Sequence, residues 1–361
     1  MSDEKKLSKI RHKIDSLDQQ IQDLINERAR CAQDVATVKQ AAGEKVVFYR
    51  PEREASILRE IQQRNKGPLA SEEMARLFRE IISACLAMEE VLKIAYLGPE
   101  GTFTQAAALK HFGHSVNTVS LVNIDEVFRE VESGAAHYGV VPVENSTEGV
   151  VNHTLDMFIH SHLTICGEVE LRIHHHLLSK DTQLENIKKI YSHQQSLGQC
   201  REWLDARMPQ VERVAVSSNA EAAKLAMNEP GSAAIASDNA ATIYDLNILA
   251  PNIEDEPDNT TRFLIIGNQQ VGPSGHDKTS LLLSTDNKVG SLHHLLACLL
   301  DNGISMTRIE SRPSRRGMWD YVFFVDIEGH QSEPAVKKAL ALLEKETTLF
   351  KILGSYPRAV L

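Results

Sequence analysis

A cation stands where the sequence otherwise builds an apolar seam. Leu7, Ile10, Ile14, Leu17, Ile21, Leu24, Cys31, Val35 and Val38 recur at spacings near three and four, the signature of one helix face. Continuing the heptad of Ile14 and Ile21 leads to Arg28 before the seam returns to Val35. A guanidinium there is costly unless an anion meets it. Lys39 lies about three turns further on and projects from a neighbouring face. Arg11 shares the heptad position of Lys39, but at roughly 1.5 Å per residue it is about 25 Å from Arg28, so one small ligand cannot touch both from a single helix. An antiparallel partner chain would bring Arg11 back. Phe78, Ile82, Cys85, Glu89 and Leu92 form a later stripe with one carboxyl among apolar neighbours, and Arg53 with Glu54 adds a further charged pair. Several cations, an isolated carboxyl and no metal or nucleotide motif describe a pocket for a small dianion. The competing reading pairs Arg28 with Glu89 as a buried salt bridge that fixes helix register.

Polar segments further along fall where strands and helices meet. Leu97-Gly98-Pro99-Glu100-Gly101-Thr102-Phe103-Thr104 joins a predicted strand to a helix, and its free N–H groups suit an anion, although the spacing is neither G-x-G-x-x-G nor a P-loop. Val141 to Gly149 places Glu144 and Asn145 just after a buried strand, where open α/β sheets bind ligands. Tyr191 to Gln199, with Ser192, follows another strand, and Asn259-Thr260-Thr261-Arg262-Phe263 precedes a further one. Each alone is also compatible with turn chemistry. His174-His175-His176 and the group His153, His160 and His162 lack metal-ligand spacing, so they read as structural and no metal site is expected.

These residues need three kinds of scaffold. The first helix, of about 35 residues, is followed by one from Pro51 to Gly67 and one after Ser71 that runs on through Leu92; so long a first member has no obvious internal core, and dimerisation through it is the simplest cure. From Lys93 the pattern alternates strand and helix as far as Ile266, predicting an α/β unit with a mostly parallel sheet. Gly267 to Asp277 reads as a linker, and the remainder spells βαββαβ, a ferredoxin-like unit. The expected boundaries are 1–92, 93–268 and 278–361. Charge is uneven: residues 1–93 hold 17 Lys/Arg and 16 Asp/Glu, so of the net −10 the rest carries −11. Nucleic acid is thus not an expected partner. The five scattered cysteines include no C-x-x-C and read as free thiols. With no signal-peptide core and no long apolar run, the expectation is a cytoplasmic protein without a membrane partner.

Arg11, Arg28, Lys39, Arg53-Glu54 and the Leu77-Phe78 to Glu89 stretch resemble the all-helical chorismate mutase family. The resemblance implies an intertwined helical dimer in which these positions, with Cys85, bind chorismate, and Lys39 and Glu89 flank its ether oxygen. The rearrangement to prephenate is unimolecular and needs no cofactor, only a held conformer and stabilised charge. Glu89 must be protonated to donate a hydrogen bond, and apolar burial moves a carboxyl that way. Val46 to Arg50 departs from the family by a small insertion.

From about Ile94 onward the chain resembles prephenate dehydratase, with Thr261-Arg262-Phe263 matching its signature. That implies two α/β lobes around a cleft, like a type II solute-binding protein. Thr261 would assist the departing hydroxide, Glu144, Asn145, Ser192 and Gln199 would line the cleft, and Arg262 would meet a carboxylate. Gly290-Ser291-Leu292 and Glu310-Ser311-Arg312-Pro313 resemble the phenylalanine-binding motifs of dehydratase ACT domains, which implies feedback inhibition by phenylalanine. Helix N–H groups can hold an amino-acid carboxylate and Glu310 its ammonium. Homodimers or higher homo-oligomers are implied. Two other readings stay open: a non-enzymatic phenylalanine-sensing binding protein, and a dehydratase with a weakened mutase.

Overall fold

The computed structural model describes residues 3–41, 49–286, 288–313 and 321–361, with the side chains of 39–41 outside the description. Three helices come first, α1 (Asp3–Ala41), α2 (Pro51–Arg64) and α3 (Ser71–Ala87). Pro51 occupies the first turn of α2, where its missing N–H costs nothing. The third helix stops short of the expected Leu92. Met88 to Glu90 turn the chain so that Leu92 packs with Ile94 and Tyr96 in the core of the next unit. On α1 the eight large aliphatic residues of the seam, Leu7, Ile10, Ile14, Leu17, Ile21, Leu24, Val35 and Val38, stay between 46% and 70% exposed, and among the described side chains of this helix only Ala36 is buried. No helix among the described residues is long and apolar enough to cross a membrane.

Lobe one follows: β1 (Lys93–Leu97), α4 (Phe103–Phe112), β2 (Asn117–Leu121), α5 (Ile124–Glu132), β3 (Tyr138–Asn145), β4 (Gly149–Val150), α6 (Asn152–His160) and β5 (Thr164–Arg172). The chain then crosses into lobe two, built from β6 (His176–Ser179), β7 (Lys189–His193), α7 (Gln194–Gln199), α8 (Arg201–Arg207), β8 (Glu212–Val216), α9 (Asn219–Asn228), β9 (Ser232–Ala236), α10 (Asp238–Ile243) and β10 (Asn247–Ala250). It returns through residues 251–259 to β11 (Thr260–Gly267), which enters the first sheet between β3 and β5. Because it arrives from the far lobe, β11 runs antiparallel to both neighbours, whereas β1 is parallel to β2 and β3. Lobe two is mixed as well, with β7 parallel to β8 and β9 but β6 antiparallel to β9 and β10. The expected mostly parallel sheet is therefore two mixed sheets.

The last unit, β12 (Asp277–Ser284), α11 (Ser291–Leu300), β13 (Met306–Pro313), β14 (Tyr321–Glu328), α12 (Pro334–Glu346) and β15 (Leu349–Pro357), forms an antiparallel sheet of order β13-β14-β12-β15. This βαββαβ unit does not stand apart. Val141, Val143, Leu264 and Ile266 of lobe one share a core with Leu282, Phe324, Leu353 and Tyr356 of this C-terminal sheet. The opposite face of the lobe-one sheet, with Val140, Phe263 and Ile265, packs on Ala107, Ala108 and Phe112 of α4. β15 lies so close to β5 that a Cβ on Gly354 would come 2.2 Å from the Ile165 carbonyl oxygen. The helical unit is tied on as well. Arg59 of α2 donates to Ser274, His276 and Arg358, and Gln62 donates to the Val360 carbonyl.

Candidate active sites

Two backbone N–H groups set the polarity of the cleft between the lobes. Asn145 Oδ1 accepts from Thr147 N at 3.0 Å and Glu148 N at 2.9 Å, which fixes the amide so that its Nδ2 must donate. That nitrogen has two hydrogens and two acceptors, Thr261 Oγ1 and Asn259 Oδ1, each at 2.8 Å. Asn259 Nδ2 in turn donates to Gln199 Oε1 at 3.3 Å, and Gln199 Nε2 donates to Glu148 Oε1 at 3.2 Å. With Gln199 Oε1 an acceptor, His175 Nε2, 2.8 Å away, must carry the proton. Burial pulls the His175 pKa below the ordinary histidine range, in keeping with a neutral ring whose buried Nδ1 has no partner.

Thr261, Asn145 and Gln199 are thus brought together as expected, while Asn259 and His175 join them unannounced. The signal for Asn259 was its place beside Thr260-Thr261-Arg262. His175 was read only as one of three structural histidines. It lies on the crossover between lobes, its ring edge-on to Phe103 at 5.6 Å. The loop before α4 also bridges the lobes, for Tyr244, just after α10, donates to the Glu100 carbonyl at 3.1 Å and Ser237 to that of Gly101.

Three residues expected in the cleft face elsewhere. Arg262 follows Thr261 on β11 and so points to the other face of the sheet, where Nε meets Glu168 at 2.8 Å, Nη1 meets Asp326 at 2.6 Å and Nη2 meets the Tyr356 hydroxyl at 2.9 Å. Glu144 pairs with Arg308 of β13 at 2.9 Å. A β-bulge in β3 explains that: the partners of Arg262 and Phe263 are Glu144 and Pro142, so Glu144 falls opposite Arg262. Ser192 is fully buried, its hydroxyl within reach of Asn219 Oδ1 and the Ile235 carbonyl.

In the helical unit, Glu54 is buried against Arg79 of α3 at 2.9 Å, with Cys85 buried on the same helix. Burial raises the Glu54 pKa, while Arg79 and then Arg28 pull it back. Arg79 was missed because the stripe through Phe78 and Ile82 was followed, whereas α3 buries Ala75, Arg79 and Ser83, one residue round the helix. Beside the pair, Tyr49 Oη lies 3.0 Å from His111 Nε2, a ring that burial holds well below the ordinary histidine pKa. Arg53 and Arg11 are exposed. Glu89 sits half-buried in the turn after α3 rather than on its helical stripe. Lys39 lies on α1 with its side chain outside the described residues, as are Val46 to Phe48, while Arg50 pairs with Glu52 at 2.8 Å.

In the C-terminal unit, Gly290 precedes α11 in the left-handed region (φ 86°), which favours glycine, and the Ser291 hydroxyl is within reach of the Asp286 and Lys288 carbonyls. Leu292 is exposed. Glu310 and Ser311 lie on edge strand β13, but Arg312, expected at the effector, is held by Asp156 of α6 at 2.8 Å. His174 pairs with Glu254, and among the described residues no group of three or more His, Cys, Asp or Glu side chains is arranged to hold a metal.

The family model for chorismate mutase type II matches residues 10–90, that for prephenate dehydratase 94–271, and that for the ACT domain 279–342. A bifunctional chorismate mutase/prephenate dehydratase of Pseudomonas aeruginosa is 62% identical over the full length of both chains. One from Neisseria gonorrhoeae is 52% identical over 97% of each. Among solved structures, an Arthrobacter aurescens prephenate dehydratase in complex with L-Phe superposes with a TM-score of 0.69 at 33% identity, covering 74% of this chain and 90% of that one. Identity of this extent across all three units places the chain in the bifunctional chorismate mutase/prephenate dehydratase family.

Proposed function

We propose that the two activities of this enzyme, chorismate to prephenate and prephenate to phenylpyruvate, use sites of different construction. The observation that carries the dehydratase assignment is the 2.8 Å contact in which Thr261 Oγ1 accepts from Asn145. An oxygen that accepts there keeps its own hydrogen for another acceptor, and the accepted bond polarises it. The departing ring hydroxide of prephenate is that acceptor, and loss of carbon dioxide supplies the electron pair that makes the ring aromatic. Asn145 holds the Thr261 hydroxyl in place and Gln199 lines the substrate side of the cleft; Asn259 and His175 keep the Gln199 amide oriented.

The mutase site takes Arg28, Lys39, Glu54, Cys85 and Glu89 from one chain and Arg11 from a partner, with Arg53 at its rim. The uncovered α1 stripe supports a homodimer, since burying the exposed half of each aliphatic side chain is worth roughly 1 kcal/mol apiece. Phenylalanine is the effector, held by Gly290, Ser291 and Leu292 with Glu310 and Ser311. The working divisions are 1–92, 93–268 and 278–361. A cytoplasmic location suits five free thiols. Supplying chorismate and following prephenate and phenylpyruvate, with and without phenylalanine, tests the reading. Phenylpyruvate formation suppressed by phenylalanine is expected, and full turnover at saturating phenylalanine removes the effector assignment.

A further inference from the structure

The cleft and the regulatory sheet meet on opposite faces of the same two strands. Thr261 and Asn145 are register partners on β11 and β3, and the next pair along, Arg262 and Glu144, faces the regulatory unit. Arg262 is held there by Glu168, Asp326 and Tyr356. Asp326 also accepts from Ser280 at 2.6 Å, and Glu168 accepts from Lys278 Nζ and from the Ala359 N–H. Glu168, Asp326, Tyr356, Ser280 and Lys278 are buried and the Arg262 side chain is only 12% exposed, so exchanging a partner for water is costly. Burial would raise the Asp326 carboxyl, but Arg262 and Ser280 bring it below the usual range, so it meets the guanidinium as a carboxylate.

The second pair leads to the effector segment. Arg308, bound to Glu144, and Arg312, bound to Asp156, flank Glu310 on β13 at intervals of two residues, so all three side chains share one face. A ligand that moves β13 therefore pulls on lobe one through both ion pairs. A displacement of β14 or β15 pulls on Arg262, whose flat guanidinium makes three directed contacts and follows its partners.

We propose that Arg262 and Glu144 are positioning residues: they tie the placement of the Thr261 hydroxyl and the Asn145 amide to the state of the regulatory sheet, so that effector binding is felt in the cleft across the thickness of two strands. This rests on the phenylalanine reading above. Each residue on the cleft face shares a peptide unit with its neighbour on the regulatory face, so the coupling path is one residue long at two adjacent points.

The test uses the full chain with Asp326→Asn, which keeps shape and removes the charge facing Arg262, and Tyr356→Phe, which removes one hydroxyl and guards against a folding defect in the first variant. Phenylalanine binding is measured by calorimetry and inhibition by prephenate turnover. Wild type should show binding and half-inhibition at matching concentrations. In both variants half-inhibition should move upward by about tenfold relative to binding, a separation that a merely structural role would not produce. Unchanged half-inhibition in both folded variants overturns the proposal. If wild type neither binds phenylalanine nor is inhibited by it, the effector reading fails. Coupling is then decided without effector by a double-mutant cycle of Asp326→Asn with Thr261→Ser in kcat/KM: non-additive effects support it and additive effects overturn it.

Discussion

In the cleft, Thr261 reaches Asn145, Asn259, Gln199 and His175 without leaving the chain, whereas along α1 eight aliphatic side chains and Arg11 face outward. Both regions use a few polar groups among apolar walls. The difference lies in what orients those groups. In the cleft, backbone N–H groups fix one amide and each neighbour is then determined in turn. In the helical unit the proposed mutase pocket takes Arg28 and Glu54, the latter buried against Arg79, from one chain, while Arg11 is about 25 Å from Arg28 along one helix. A rigid rod cannot fold back on itself, so under the proposed assignment Arg11 comes from a second copy. On that proposal one site is complete when the chain folds and the other only when it assembles.

The largest effect that sharpens this contrast is Thr261→Ala. Losing the donor at the departing hydroxide should lower phenylpyruvate formation by about 10²- to 10³-fold while prephenate formation from chorismate is unaffected. Near-normal dehydratase turnover would break the assignment. Arg11→Ala is the mirror experiment: mutase turnover should fall about ten- to hundredfold, the worth of one or two charge-assisted bonds, with dehydratase turnover unchanged. A smaller effect is expected at the seam between lobe one and the regulatory unit. Gly354→Ala drives a Cβ into the Ile165 carbonyl, so β15 must shift, at a cost of about 1–3 kcal/mol in thermal unfolding and with weaker inhibition by phenylalanine. The smallest is a pH effect. The folded pKa of His175 is depressed, so below the unfolded value of about 6.5 the unfolded chain takes up a proton that the folded site refuses. Stability therefore falls as pH drops from there toward the folded value, and His175→Gln should flatten that slope in urea unfolding curves recorded across pH.

Much of this arrangement was readable in the residues. The 3.6-residue period of α1 and the break at Lys93 gave helices and then alternating units, because burial imposes those periods on any foldable chain. The polar clusters at Asn145, Gln199 and Thr261 stood out because each lies at the end of an apolar strand, the first two after one and Thr261 at the start of another. What stayed hidden depends on geometry that no spacing encodes. The bulge in β3 turns Glu144 to the regulatory face, and strict alternation would have left it with Asn259 and Thr261 in the cleft. Arg262 shares a signature with Thr261, yet strand alternation sends it the other way, to a partner 64 residues later. Arg79 is hidden by a rotation of one residue about α3, since Phe78 and Ile82 make a more apolar stripe than Ala75, Arg79 and Ser83, which the helix buries. The antiparallel entry of β11 required knowing that it returns from the second lobe.

Mixing chains tests the contrast most directly. Arg11→Ala and Arg28→Ala proteins, each deficient in mutase activity, are unfolded together, refolded and assayed with chorismate. If each pocket takes Arg28 from one chain and Arg11 from its partner, half the dimers are mixed and each of these has one intact pocket. Mutase activity should then return to about a quarter of wild type. The same mixture of Thr261→Ala and Gln199→Ala proteins should recover no dehydratase activity, because both residues belong to one cleft. Mutase activity no higher than in either parent would contradict the account.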